Sequence, residues 1–156
     1  MESSSVVDVM LVEDNPQDAE LIIRTLRKHN LANRLLHMKN GKDALDFLFG
    51  TGSPESAPME NKPRVILLDL KLPKIDGLEV LRIIKSDERT HIIPVVIVTS
   101  SAENPDIQAA YNLGANSYVV KPVKFDAFMN VMARLGAYWL QVNHPMNNSN
   151  KDMTKY

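Results

Sequence analysis

The chain has 156 residues, and 18 Lys and Arg against 19 Asp and Glu leave a formal net charge of −1. That length suits one domain of roughly 150 residues with a self-sufficient core, while balanced charge excludes a general nucleic-acid binder and an acidic disordered chain, and a 44% hydrophobic content is ordinary for a globular domain. With no cysteine, disulfides, thiolate metal sites and cysteine nucleophiles are excluded together.

Val6 to Val12 is a short β-branched run that stops at Glu13-Asp14-Asn15-Pro16, as a buried strand followed by a helix start does. Asn15 reads as the N-cap and Pro16 as the first helical residue. Ala19, Ile22, Ile23 and Leu26 then recur at helical spacing, and the helix ends near His29-Asn30. Leu35, Leu36 and Met38 suggest a second strand, and Ala44, Leu45, Leu48 and Phe49 a short helix that Asn40 can cap. Gly50 to Pro63, rich in Gly, Pro, Ser and Glu, reads as a long surface loop.

Val65 to Leu68 is the third apolar run and stops at Asp69. Pro73 and Asp76-Gly77 mark a bend, and Leu78, Leu81 and Ile84 continue as a helix. Pro94 to Val98 ends at Thr99-Ser100-Ser101; a helix begins at Asn104-Pro105 and closes at Gly114. Tyr118 to Val120 ends at Lys121-Pro122, and Phe125, Phe128, Met129, Met132, Leu135 and Trp139 share one face of a last helix. Strands alternating with helices predict an α/β fold, a doubly wound parallel sheet covered on both faces. The polar, Asn-rich segment from Asn143 to Tyr156 is expected to be disordered. No stretch reaches the ~18 apolar residues of a membrane span, and Met1 to Ser5 lacks a signal-peptide pattern. A cytoplasmic protein with no membrane or nucleic-acid contact is the expectation.

In an open parallel sheet, ligands collect beyond the carboxyl ends of the strands. Here those ends carry Glu13 and Asp14, then Asp69, then Thr99 and Ser100, then Lys121. Three carboxylates about 5 Å apart would repel by roughly 3 kcal/mol per pair at an effective dielectric near 20. Such a cluster calls for a counter-ion, and Mg²⁺, with its preference for carboxylate, water and phosphate oxygens, suits it. The Lys121 ammonium can meet phosphoryl oxygens as a point charge, and the Thr99 hydroxyl can donate to another oxygen. Each residue also has a local alternative. Asp14 can cap the first helix, Tyr118 can be a packing residue of its strand, and Trp139 can be core or interface.

The stretches Leu11 to Asn15, Leu67 to Pro73, Asp76-Gly77, Val98 to Ser100, Gly114-Ala115 and Lys121-Pro122 resemble the receiver domain of two-component response regulators. The resemblance covers about Val6 to Val142, a single receiver domain over residues 1–142 with the long loop at 50–63 and a polar tail at 143–156. It implies the flavodoxin-like, CheY-like five-stranded sheet in the order 2-1-3-4-5 with five helices. Asp69 to Thr99 spans 30 positions and Thr99 to Lys121 spans 22, as is usual in the family, whereas the 55 positions from Asp14 to Asp69 are lengthened by the loop. That loop and the closing Tyr138-Trp139 resemble the small stand-alone regulators associated with phytochromes.

The resemblance implies roles. Asp69 is the phosphoacceptor for a sensor histidine kinase, with the phytochrome-associated subgroup pointing to one of phytochrome type, and forms an aspartyl phosphate. Glu13, Asp14, Asp69 and the backbone carbonyl of Lys71 hold Mg²⁺. Lys121 pairs with the phosphoryl group, Thr99 moves to it, and Tyr118 turns inward behind Thr99, so that a local charge alters the surface of helix four, strand five and helix five. Lys121-Pro122 is a candidate cis peptide. After the last helix only a short polar segment follows, so the output is expected to pass to a protein partner. A homodimer through the helix four, strand five and helix five face, anchored by Tyr138 and Trp139, fits the same pattern.

Such a protein is a signalling component and not an enzyme beyond its own phosphotransfer and autodephosphorylation. A Mg²⁺-dependent phosphohydrolase is the rival, but its usual second aspartate, two positions after the nucleophile, is Lys71 here. A flavin-binding relative of the fold would lack its phosphate loop, since Glu13-Asp14 repel a phosphate. A phosphorylation-independent interaction module leaves the Glu13, Asp14, Asp69, Thr99 and Lys121 set unexplained.

Overall fold

The computed structural model describes residues 7–51 and 62–146. Most of the expected loop at 50–63 and of the expected polar tail at 143–156 therefore lies outside the described residues. The elements run β1 (Val9–Val12), α1 (Pro16–Lys28), β2 (Leu35–Met38), α2 (Gly41–Phe49), β3 (Val65–Leu68), α3 (Gly77–Ser86), β4 (Val95–Thr99), α4 (Asn104–Asn112), β5 (Ser117–Val120) and α5 (Phe125–Ala137), with a π-helical turn over Tyr138–Val142.

Several boundaries follow directly from local chemistry. The Asn15 side chain accepts from the Asp18 N–H at 3.0 Å, and Pro16 fills the first helical position, where its missing N–H costs nothing. Asn40 caps α2 by accepting from the Asp43 N–H at 2.8 Å, and Gly50, with φ 70°, ends that helix in the left-handed region. Asp76 caps α3 through the Leu78 N–H at 3.2 Å. α4 starts at Asn104, but the residue before it, Glu103, makes no side-chain cap bond.

The five strands form one parallel sheet in the order β2-β1-β3-β4-β5. β1 is an interior strand, pairing Val9 with Leu35 on one side and with Val65 on the other. Leu68 pairs with Ile97, and Thr99 with Val120. Side chains alternate across the sheet. Val9, Leu11, Val65, Leu67, Val96 and Val98 therefore face α1 and α5, where Ile22, Leu26, Phe128, Met132 and Leu135 meet them. Met10, Val12, Ile66, Leu68, Val95 and Ile97 face α2, α3 and α4, and meet Leu45, Leu48, Val80, Leu81, Ile84 and Ala110. A sheet buried on both faces needs apolar residues at every strand position, which is why these strands read as continuous runs.

Two members of the predicted last-helix face behave differently. Phe125 is 60% exposed, because it stands at the first position of α5, at the end of the helix. Trp139 packs partly buried against the α1–α5 core, while its neighbour Tyr138 is 48% exposed. The two rings meet edge to face at 5.1 Å.

Candidate phosphoryl and metal site

Each chemical residue on the rim is held by a backbone bond at the end of its strand. The Glu13 N–H donates to the Met38 carbonyl at 3.0 Å, the Asp69 N–H to the Val12 carbonyl at 3.1 Å, and the Lys121 N–H to the Thr99 carbonyl at 2.7 Å. Because these bonds continue the sheet one residue past β1, β3 and β5, the side chains inherit the rigidity of the core. The register brings together residues up to 108 positions apart, from Glu13 to Lys121.

Carboxylate oxygens of Glu13, Asp14 and Asp69 all lie within 4.8 Å of one another. Glu13 is 1% exposed and Asp69 7%, whereas Asp14 sits exposed at the lip. The Lys121 ammonium reaches into this cluster, 2.8 Å from Glu13 Oε1, 2.8 Å from Asp18 Oδ2 and 3.0 Å from Asp69 Oδ2. The remaining oxygens are also engaged. Glu13 Oε2 accepts from the Asn15 N–H at 3.1 Å, and Asp69 Oδ1 from the Leu70 N–H at 2.7 Å.

Burial pushes the Glu13 carboxyl up to about 7; its bond to Lys121 opposes this and the charge of Asp69 adds to it. For Lys121, burial acts to lower the affinity for its proton. Bonds to Asp18 and Glu13, with the charges of Asp69 and Glu13, outweigh it and hold the ammonium above its ordinary value. One ammonium thus faces a cluster of carboxylates, two of them deeply buried. An all-oxygen donor set with surplus negative charge suits a hard divalent cation.

Thr99 is fully buried at the end of β4, and its Oγ1 accepts a long 3.5 Å contact from the Ser101 N–H. Tyr118 is half-buried, and its hydroxyl donates to the Ser101 carbonyl at 2.9 Å. The tyrosine expected to turn inward behind Thr99 is therefore tied to the backbone two residues past it. Ser101 Oγ in turn donates to Asp106 in α4 and accepts from the Glu103 N–H at 3.3 Å. Lys71 lies exposed in the turn between Asp69 and α3.

One expectation is overturned. The Lys121-Pro122 bond is not cis, and no cis peptide occurs among the described residues. The trans form is favoured by about 0.5–1 kcal/mol even before proline, and Lys121 reaches its station while its N–H still completes the β5 ladder. Sequence reasoning also passed over two residues. Asp18 touches Lys121, and Asp106 links the Thr99–Ser101 segment to α4. The acidic residue three positions after the Asn15 cap is the only local signal for Asp18, and it has an ordinary explanation as a helix-start acid.

Comparison with known proteins places this geometry in context. The response regulator receiver domain profile matches residues 9–133. The probable methanogenesis regulatory protein FilR2 of Methanothrix harundinacea is 39% identical over 92% of this chain and 90% of its own length. The response regulator Rcp1 of Synechocystis is 34% identical over 90% of this chain and 93% of its own. The crystal structure of the Mn²⁺-bound form of Rcp1 superimposes with a TM-score of 0.83 at 33% identity, covering 90% of this chain and 99% of that one. That of the phosphorylated cyanobacterial phytochrome response regulator RcpA gives 0.83 at 32% identity, over 91% and 99%. The bacteriophytochrome response regulator AtBRR gives 0.70 at 43% identity, over 92% and 99%.

Proposed function

The chain belongs to the response regulator receiver domain family, and on that premise we propose that Asp69 is the residue that accepts the phosphoryl group, donated by a sensor histidine kinase and aided by Mg²⁺. The observation that carries this reading is the meeting of Glu13, Asp14 and Asp69 within 4.8 Å, with the Lys121 ammonium 3.0 Å from Asp69. An Asp69 oxygen attacks the phosphorus of a phosphohistidine, the P–N bond breaks, and the imidazole leaves as the aspartyl phosphate forms. Glu13, Asp14 and Asp69, with the Lys71 carbonyl, would hold the cation. When bound, it neutralises charge on the transferring group. The Leu70 N–H fixes the orientation of the Asp69 carboxylate. Lys121 offers its ammonium to a phosphoryl oxygen.

Thr99 is the hydroxyl that follows the phosphoryl group, and Tyr118 reports its movement through the Ser101 carbonyl. The support is that Thr99 and Ser101 share one short segment that Tyr118 and Asp106 both grip. The single receiver domain spans residues 1–142, works in the cytoplasm, dephosphorylates itself and signals to a protein partner. The phytochrome response regulators among its relatives support a phytochrome-type kinase as donor. The helix four, strand five and helix five face forms a homodimer, with the exposed Tyr138 as its anchor and Trp139 behind it. Light scattering with and without beryllofluoride tests this, and a monomeric mass in both states removes the dimer.

The phosphoacceptor is tested with acetyl phosphate and Mg²⁺, followed by intact mass. One acid-stable, base-labile phosphoryl group is expected, lost in Asp69→Asn. No mass gain, or a gain that survives Asp69→Asn, overturns the assignment. Rapid turnover of a generic phosphate ester would favour the phosphohydrolase instead.

A further inference from the structure

Asp18 stands in the first turn of α1, yet its carboxylate does not serve that helix. An acid three positions after an N-cap commonly reaches back to the cap residue's N–H. Here the Asn15 N–H is already taken by Glu13 Oε2 at 3.1 Å, and Asn15 itself caps the Asp18 N–H. The Asp18 side chain turns instead to Lys121, 103 positions away, at 2.8 Å. The pair is sheltered, with side chains 29% exposed for Asp18 and 8% for Lys121. An ammonium has three protons, and three carboxylates lie within 3.0 Å of the Lys121 ammonium. Two of them, Glu13 and Asp69, belong to the carboxylate cluster suited to a cation, and Asp18 does not.

We propose that Asp18 is a positioning residue that anchors the Lys121 ammonium from outside the metal-binding cluster, so that a divalent cation can claim Glu13 and Asp69 without leaving Lys121 unpaired. This rests on the reading that Glu13, Asp14 and Asp69 hold the cation. The physical reason is competition. Ammonium and cation seek the same two buried carboxylates, and a carboxylate that only the ammonium uses lowers the cost of sharing them. When Asp18 loses its charge, Lys121 has only Glu13 and Asp69 to balance it, holds them more tightly, and opposes the cation. The same anchor keeps the ammonium at the rim beside Asp69, where a phosphoryl oxygen would arrive.

A double-mutant cycle on the unphosphorylated full chain separates this role from a structural one. Mg²⁺ affinity is measured by titration calorimetry for the wild type, Asp18→Asn, Lys121→Met and the pair. Asp18→Asn should weaken Mg²⁺ about tenfold, in line with the effect of removing outer partners at other metal sites. In the Lys121→Met background the same replacement should change affinity by less than about twofold, because the residue it acts through is gone. Asp18→Glu, which keeps the charge, should restore most of the loss.

Unchanged affinity in Asp18→Asn overturns the proposal. So does an equal loss in both backgrounds, which would mean that Asp18 acts on the cation or the fold directly. A wild-type chain that binds no Mg²⁺ overturns the metal reading itself, a failure distinct from a flat cycle in a chain that binds.

Discussion

Thr25 lies 1% exposed on the buried side of α1, and its hydroxyl is the buried side-chain oxygen or nitrogen without a hydrogen-bond partner among the described residues. A buried hydroxyl with no partner costs about 1–3 kcal/mol relative to water, and valine has nearly the same shape. Thr25→Val should therefore stabilise the chain by about 1 kcal/mol, read as a higher urea midpoint with an unchanged slope. A lower midpoint would show that the hydroxyl is satisfied. At this same scale the candidate site was largely legible in the sequence. Glu13, Asp14, Asp69, Thr99 and Lys121 each end or directly follow an apolar run, and a strand's carboxyl end is where a parallel sheet presents its chemistry. Asp18 was not legible, because its contact depends on where β5 lands against α1. The Lys121-Pro122 isomer was not legible either, because a preference of about 1 kcal/mol is decided by tertiary fit and not by the dipeptide.

The junctions between elements carry the next set of consequences. At the start of α3, a Cβ on Gly77 would lie 2.3 Å from the Asp69 carbonyl oxygen and 2.5 Å from the Leu70 Cα. Both are backbone atoms, so Gly77→Ala must push β3's exit and the first turn of α3 apart. We expect a destabilisation of about 1–3 kcal/mol from this overpacking. Phosphorylation by acetyl phosphate should slow further than the unfolded fraction explains, because the displaced atoms carry the phosphoacceptor. Urea melts and intact-mass time courses on the same variant check both parts, and a variant with normal phosphorylation would show that the junction absorbs the methyl group.

At the other end of α3, Lys85 donates to the His91 and Ile93 carbonyls at 2.9 and 2.8 Å, and burial pulls its ammonium down to about 8. The folded chain then binds fewer protons than the unfolded chain between pH 8 and the ordinary lysine value near 10.4. Stability contributed by this group therefore rises with pH across that window. Wild type should gain stability relative to Lys85→Met as pH goes from 8 to 10, and a constant difference would place Lys85 in water. The elements were legible in their order and caps, since Asn15-Pro16, Asn40 and Asp76 mark their own helix starts. β2 was the weakest strand to read, because as an edge strand all four of its residues are only half-buried.

Across the whole molecule, a net charge of −1 conceals an uneven distribution. The core beneath the sheet is apolar on both faces, and three carboxylates are gathered at one rim. The rim sits on the ends of the interior strands β1 and β3, so its repulsion bears on the most buried part of the sheet and is felt as global stability. A divalent cation that binds only the folded chain must stabilise it by mass action, about 2.7 kcal/mol when the free cation is a hundredfold above its dissociation constant. For a chain of this size that corresponds to a rise in melting temperature of roughly 5–10 °C. Calorimetric melts in Mg²⁺ and in EDTA, matched in ionic strength with NaCl so that general screening is equal, should differ by that amount. The difference should shrink in Asp14→Asn, whose exposed side chain can be neutralised with little cost to the core. Coincident melts of the wild type in Mg²⁺ and EDTA would mean that Lys121 alone balances the rim, and that the carboxylates gathered there do not take a cation.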